Sequence, residues 1–407
     1  MKTIILGAGA SKAYTASPSR QKMPIANDFF SIYENLDISA NRWVLIGDIL
    51  NVASKEYGTN YLNFLSSNID IEEFHSLVEE KLLSILKNYT PEKFFKNIEY
   101  WNAYHQLVFL FSSVVNEIQN GPVSEPHVSL SSTLEQGDAV LTFNWDTLMD
   151  RAMAENSNWN VDNGYGINPK AVFRNKWSKI QLEDQYSGPI LLKLHGSSNW
   201  ITSYPQFDHS KKEIALSQIS TPETLYVYEY AYQPYSTFAG RFIGPYQPFS
   251  YFYYPPNLLD DPGKPAPDGH FIAKMRIKSP LMPEGGSDSK GLVSMPLIIP
   301  PVKDKNYGLF GSLFSSLWNK AEKYLIDSEK IIIIGYSFPK TDLKSRDLFK
   351  KAFLKRKNMP KVIIVNPAPE SIKDIFIYDF GINEDYLRVF KDFFNDSFDL
   401  SKLAWTN

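Results

Sequence analysis

Thr3-Ile4-Ile5-Leu6-Gly7-Ala8-Gly9-Ala10-Ser11 is the stretch whose reading decides the fold. A short, nearly unbroken apolar run meets two glycines one residue apart and ends on a small hydroxyl. A run this short reads as a strand, and one without alternation is buried on both faces, as in a parallel sheet covered by helices. Glycine at 7 and 9 permits a tight turn and close approach of backbone to a pyrophosphate, with the N–H groups of a following helix directed at the anion. The third glycine of the dinucleotide fingerprint is missing, so a plain strand-to-helix turn stays open here.

Four more runs of the same kind lie downstream: Ala139 to Phe143, Ile190 to Leu194, Lys330 to Ile334 and Lys361 to Val365. The expected fold is α/β, a Rossmann-like parallel sheet flanked by helices. Its strands end in GAGAS, NWD, HGSSN, GYS and NP. The ligand crevice of an open α/β sheet lies at the C-terminal strand ends, so these five ends are expected to converge on one site.

Between the first two runs, Ile71, Phe74, Val78, Leu82 and Ile85 fall at helical spacing, as do Trp101, Tyr104, Val108, Phe111, Val115 and Ile118. These stripes read as core-facing helices. From 201 to 300 the character changes. The stretch holds more than half of the 26 prolines, and thirteen aromatics crowd Tyr226 to Tyr254. Such proline density argues against long helices and central strands. The alternation Tyr226, Tyr228, Tyr230, Tyr232 suggests one strand, placed at an edge. The expected organisation is therefore one domain over 1–407, built from 1–65, 136–200 and 296–407. It carries a helical insertion at 66–135 and a Pro- and aromatic-rich insertion at 201–295.

Composition excludes several chemistries. The 407 residues carry 42 Lys plus Arg against 45 Asp plus Glu, a net charge of −3, and no cysteine. Direct nucleic-acid binding usually leaves an excess of cations, which is not present here. The cluster Lys350 to Lys357 reads as a solvated helix end. Without cysteine there is no disulfide, thiolate zinc site or cysteine nucleophile. The apolar start is too short for a signal segment, and no run approaches the roughly 18 apolar residues of a membrane span. A cytoplasmic protein without membrane contact is expected.

Three strand-end groups carry chemistry. Asn144 and Asp146 put an amide beside a carboxylate, a pair that can hold ribose hydroxyls or a carboxamide and orient a water, while an Asx turn capping the next helix competes with that reading. His195 directly follows a strand and precedes Gly196, which leaves it uncovered and suits it to be a general base. The other histidines, at 75, 105, 127, 209 and 270, fall on helices or loops, and no metal-ligand spacing exists. Gly335, Ser337 and Asn366 close the last two runs, where small and hydroxyl residues can donate to phosphate and an Asn can bond ribose or adenine.

In this order, GAGAS, TFNWD, LHG, GYS and VNP resemble the signature set of the sirtuin-like family of NAD-consuming, Rossmann-type proteins. The resemblance implies NAD phosphates at Gly7, Ala8, Gly9 and Ser11, and the nicotinamide ribose and nicotinamide at Asn144 and Asp146. It makes His195 the base and puts phosphate and adenosine at Ser337 and Asn366. The chain departs from the protein deacylases in lacking their four-cysteine zinc module, in having Gly335-Tyr336-Ser337 for G-T-S, and in its long helical insertion. The stretch from IIPPVKDKNY to IIIIGYSFPKTD is similar instead to bacterial sirtuin-like proteins of anti-phage defence. Those hydrolyse NAD, and several work beside a HerA-like hexameric ATPase or an Argonaute-type protein.

The resemblance thus implies an NAD hydrolase (NAD+ glycohydrolase, NADase) in an abortive-infection system. NAD would be its substrate and no metal is expected. A homo-oligomer is expected, gated by assembly or by a defence partner such as a HerA-like ATPase. Two other readings stay open: an NAD-dependent deacylase, and a catalytically silent NAD- or ADP-ribose-binding or scaffold subunit of a nucleic-acid-processing complex.

Overall fold

A computed structural model describes residues 1–36, 46–119, 121–167, 171–173, 177–179, 186–203, 205–208, 210–216, 225–228, 252–253, 270–273, 293–299, 311–339 and 342–405. The five apolar runs form strands β1 (Lys2–Leu6), β2 (Ala139–Thr142), β3 (Ile190–Lys193), β4 (Lys330–Ile334) and β5 (Lys361–Val365). A sixth, β6 (Leu387–Phe390), escapes the sequence reading. It is an edge strand, half-buried along its length, so Leu-Arg-Val-Phe shows no unbroken apolar run. All six run parallel in the order β6-β5-β4-β1-β2-β3. This is the doubly wound order of a Rossmann-like sheet, with its crossover between β1 and β4.

The register of the pairs aligns the strand ends. Phe390, Val365, Ile334, Leu6, Thr142 and Lys193 stand in one row across the sheet. Every loop that leaves a strand therefore starts from the same ledge. Helix Gly311–Asp327 buries Leu313, Phe314, Leu317, Trp318, Ala321 and Leu325, which join Ile4, Val140, Ile332 and Ile363 in the core around the sheet.

A second core lies among helices Phe29–Asn35, Gly47–Tyr57, Tyr61–Leu65, Ile71–Lys87 and Ile98–Gln119. Ile71, Phe74, Val78, Leu82 and Ile85 are all buried in it, and Val108, Phe111, Val115 and Ile118 meet them from the long helix. Helices on both sides of residue 66 share this core.

The described parts of 201–295 correct two expectations. Leu225–Tyr228 is an interior strand of a seven-stranded sheet, paired with Gly196–Ser203 on one side and His270–Ala273 on the other. Tyr230 and Tyr232 lie outside the described residues. Pro296 sits within the paired strand Val293–Ile298, beside a register shift and past the short strand Phe252–Tyr253 that covers its outer side. A proline is tolerated where the ladder is broken on one side. His270 begins a strand, and His209 lies outside the described residues. Within the basic cluster, expected to be solvated, Arg356 is instead engaged: it donates to the carbonyls of Leu325 and Ser328, closing the end of helix Gly311–Asp327.

Candidate active site

Above the crossover of β1 and β4 lies a cavity of about 640 Å³. Small-molecule pockets commonly span about 300–1,000 Å³. Of the ten residues singled out in the sequence, nine line it: Ala8, Gly9, Ser11, Asn144, Asp146, His195, Gly335, Ser337 and Asn366. Gly7 is buried beneath them. The opposite wall comes from the helical layer, with Phe29, Ile71, Phe111 and Val115.

The two glycine turns at the crossover are packed backbone to backbone. Gly7 N–H donates to Ile334 O at 3.1 Å and Gly9 N–H to Gly335 O at 2.9 Å. A Cβ on Gly7 would meet Tyr336 Cα at 2.5 Å. Gly335 has φ +63°, and a Cβ there would meet Ala10 N at 2.3 Å. The glycines are thus required by contact between the loops. The helix that follows, Ala8–Ser11, is one turn long, and the N–H of Gly9 is already donated.

Asn144 and Asp146 meet at Ser11. Asn144 Nδ2 donates to Gly7 O and to Ser11 Oγ, both at 2.8 Å, and Ser11 Oγ donates to Asp146 Oδ2 at 2.5 Å. Gly7 O can only accept, so the amide nitrogen must face it, and Asn144 Oδ1 is left as the acceptor on the amide. Asp146 Oδ1 also accepts Leu148 N–H at 3.1 Å, an Asx turn into helix Leu148–Asn156. Both functions weighed for the pair are therefore present in Asp146: it turns the chain into the helix and it lines the cavity.

His195 is buried, 5% exposed, with its ring edge-on to Phe143 at 5.1 Å and tilted against Trp318 at 6.3 Å. Its backbone is fixed as firmly, because its carbonyl accepts Trp145 Nε1–H at 3.1 Å and Ile299 N–H at 2.8 Å. Nε2 lies 3.5 Å from Asp342 Oδ2. Gly196 follows for a different reason from the one expected. It has φ +77°, and a Cβ there would lie 2.0 Å from Leu297 O. Glycine is needed where the chain passes under the strand Val293–Ile298, rather than to uncover the imidazole.

Asp342 escapes the sequence reading. It follows the GYS turn by five residues and caps helix Leu343–Lys355 through Ser345 N–H, so in sequence it looks like an ordinary N-cap. In space it is 2% exposed and accepts a hydrogen bond from Tyr336 OH at 2.8 Å. Burial, followed by the Asp342 charge, pushes the Tyr336 hydroxyl well above its ordinary pKa, so it stays protonated and donating. The Tyr336 ring stacks on Phe143 at 4.3 Å.

A buried network braces the Asn144 loop from below. Lys193 donates to Asp146 O and pairs with Asp150 at 3.0 Å, and Tyr165 donates to the same carboxylate. Asn199 Nδ2 reaches Tyr165 OH at 3.1 Å, and Ser198 N–H donates to Trp145 O at 2.8 Å. From the helical layer, Gln119 Oε1 accepts Thr147 N–H at 2.7 Å. Asn366 is buried at the β5 end, where its Oδ1 accepts Ala368 N–H at 2.9 Å, while Ser337 is exposed at the rim.

No protein-family model matches the chain, and no curated protein matches it. Among the described residues, no group of three or more His, Asp or Glu could hold a metal ion, and no helix is long and apolar enough to cross a membrane.

Proposed function

We propose that this cavity hydrolyses NAD at the bond between nicotinamide and ribose, giving nicotinamide, ADP-ribose and a proton. The observation that carries the reading is the joint presence, at the crossover of a doubly wound sheet, of a cavity of nucleotide size, a buried His195 beside Asp342, and an Asn144 amide held with its oxygen as acceptor. Departure of nicotinamide leaves positive charge on the ribose carbon. Groups that present lone pairs there lower the barrier. In this reading Asn144 Oδ1 accepts from a ribose hydroxyl or the attacking water, and Asp146 holds the nicotinamide end. His195 takes the proton, a role worth about 10² to 10⁴ in rate. Ala8, Gly9, Gly335, Ser337 and Asn366 carry the rest of the dinucleotide.

The sequence resemblance extends the proposal to the cell: cytoplasmic depletion of NAD during phage infection, with activity released by homo-oligomerisation or by a partner such as a HerA-like ATPase. The test is nicotinamide release from NAD by wild type, Asn144→Ala and His195→Ala, each with and without the neighbouring gene product. Release by wild type and its loss in His195→Ala is the expected result. Undiminished release by His195→Ala refutes the base assignment.

One observation favours a second reading, a silent NAD-binding subunit. Both donors of Asn144 and both oxygens of Asp146 are already engaged within the protein. That reading expects NAD binding by calorimetry with no nicotinamide release under either condition.

A further inference from the structure

We propose that Asp342 is the positioning residue of the site: it holds the His195 imidazole with Nε2–H turned towards its carboxylate, which makes Nδ1 the basic nitrogen of the neutral ring. The inference rests on the reading of His195 as a base. Its own support is geometric. The Asp342 Oδ2 oxygen lies 3.5 Å from His195 Nε2, and both side chains are almost wholly buried. An ionised carboxylate can only accept, so the imidazole nitrogen that faces it is the one that carries a proton.

The carboxylate is itself held in place from two directions: Tyr336 OH donates to Oδ2 at 2.8 Å, with Ser345 Oγ 2.6 Å from the same phenol oxygen, and Oδ1 accepts Ser345 N–H at 3.4 Å. Other groups packed around the imidazole are the apolar rings of Phe143 and Trp318, with Lys344 Nζ over the far ring at 4.7 Å. Asp146 faces the same cavity from the β2 loop. Asp342 is the acid closest to the ring among these. When His195 takes a proton, the carboxylate stabilises the imidazolium without receiving that proton, the division of labour found in acid–histidine pairs of hydrolases.

The test uses histidine-labelled protein and the nitrogen chemical shifts of each imidazole, with the His195 signal assigned from its loss in His195→Gln. Wild type is expected to show the Nε2–H tautomer at neutral pH, and a His195 signal protonated at Nδ1 and bare at Nε2 would overturn the proposal. Asp342→Asn keeps the helix cap, since Asn caps as well as Asp. In that variant the His195 titration midpoint is expected to fall, because a negative charge beside the ring has been removed. Tyr336→Phe frees Oδ2 from its donor and is expected to raise the midpoint. A midpoint unchanged in Asp342→Asn, or lowered alike in both variants, would overturn the proposal.

These measurements need no turnover, so they stand apart from the fate of the NAD hydrolase reading. Where nicotinamide release is observed, Asp342→Asn is expected to lower kcat about 10²-fold or more with KM nearly unchanged, and its rate–pH profile to move with the imidazole midpoint. Equal rates and equal profiles for the two proteins would contradict the role.

Discussion

The two walls of the cavity are built from opposite materials. On the sheet side every side chain argued to do chemistry is tied to another: Asn144 to Ser11, Ser11 to Asp146, His195 to Asp342, and Lys193 to Asp150. On the helical side the wall is largely hydrocarbon, and the core behind it contains His75, fully buried, with neither ring nitrogen hydrogen-bonded. Polar groups held by partners give fixed directions, as catalysis requires. An apolar wall excludes water but aims nothing. Under the proposed reading the sheet side would direct the chemistry, whereas the helical side would exclude water.

The largest effect expected from breaking this contrast is on the sheet side. His195→Ala should reduce nicotinamide release by about 10² to 10⁴, read in single-turnover assays at saturating NAD. Next comes Lys193→Met, which leaves Asp150 buried without its cation. Loss of one partner of a buried pair costs about 3–5 kcal/mol, measurable by urea unfolding. Lys193 also holds the Asp146 carbonyl, so release should fall with it.

Acid should act on the buried histidines, two of them in the helical core and a third, His127, packed on Phe394 at the sheet side, its pKa pushed down by burial to about 4. Burial pushes the pKa of His75 down to about 3 and that of His105 to about 4. The unfolded chain takes up these protons near pH 6.5, so the stability they confer is whole above that pH and is lost as pH falls below it. Each histidine should cost about 2 kcal/mol between pH 7 and pH 5. His75→Phe, which keeps a ring and removes two unpartnered nitrogens, should flatten that loss in urea titrations at the two pH values. An equally steep loss in the variant would place the acid sensitivity elsewhere. The smallest effect is expected at Thr90, which caps helix Pro91–Lys96 through Lys93 N–H. Thr90→Ala should cost about 1 kcal/mol of stability and leave release unchanged.

The parts of this architecture that sequence discloses are those where a residue's role follows from its neighbours along the chain. Ile and Val runs buried on both faces announce five of the strands, and the residues ending them announce much of the sheet-side wall of the cavity. Asp146, with both its turn and its cavity role in one motif, is legible, but where the second role is set by tertiary packing the local one masks it. Asp342 looks like a helix cap because it is one, and nothing in the chain around it reveals the imidazole brought near by a contact 147 positions away in sequence, from Asp342 back to His195. Lys193, the last residue of an apolar strand, shows no sign of the buried carboxylate opposite. The glycines at 7 and 9 are legible as a tight turn and Gly196 only as an open neighbour of His195, because the contact that makes each place tight is set by tertiary packing alone. β6 was hidden because only half of it is covered.

The most direct measurement is the reaction of NAD with the protein and its neighbouring gene product in water enriched in oxygen-18, followed by mass spectrometry of both products. The account predicts nicotinamide without label, ADP-ribose carrying a single heavy oxygen, and both products formed about 10² to 10⁴ times more slowly by His195→Ala. Intact NAD after incubation with wild type, or the same labelled ADP-ribose formed at the same rate by His195→Ala, would contradict it.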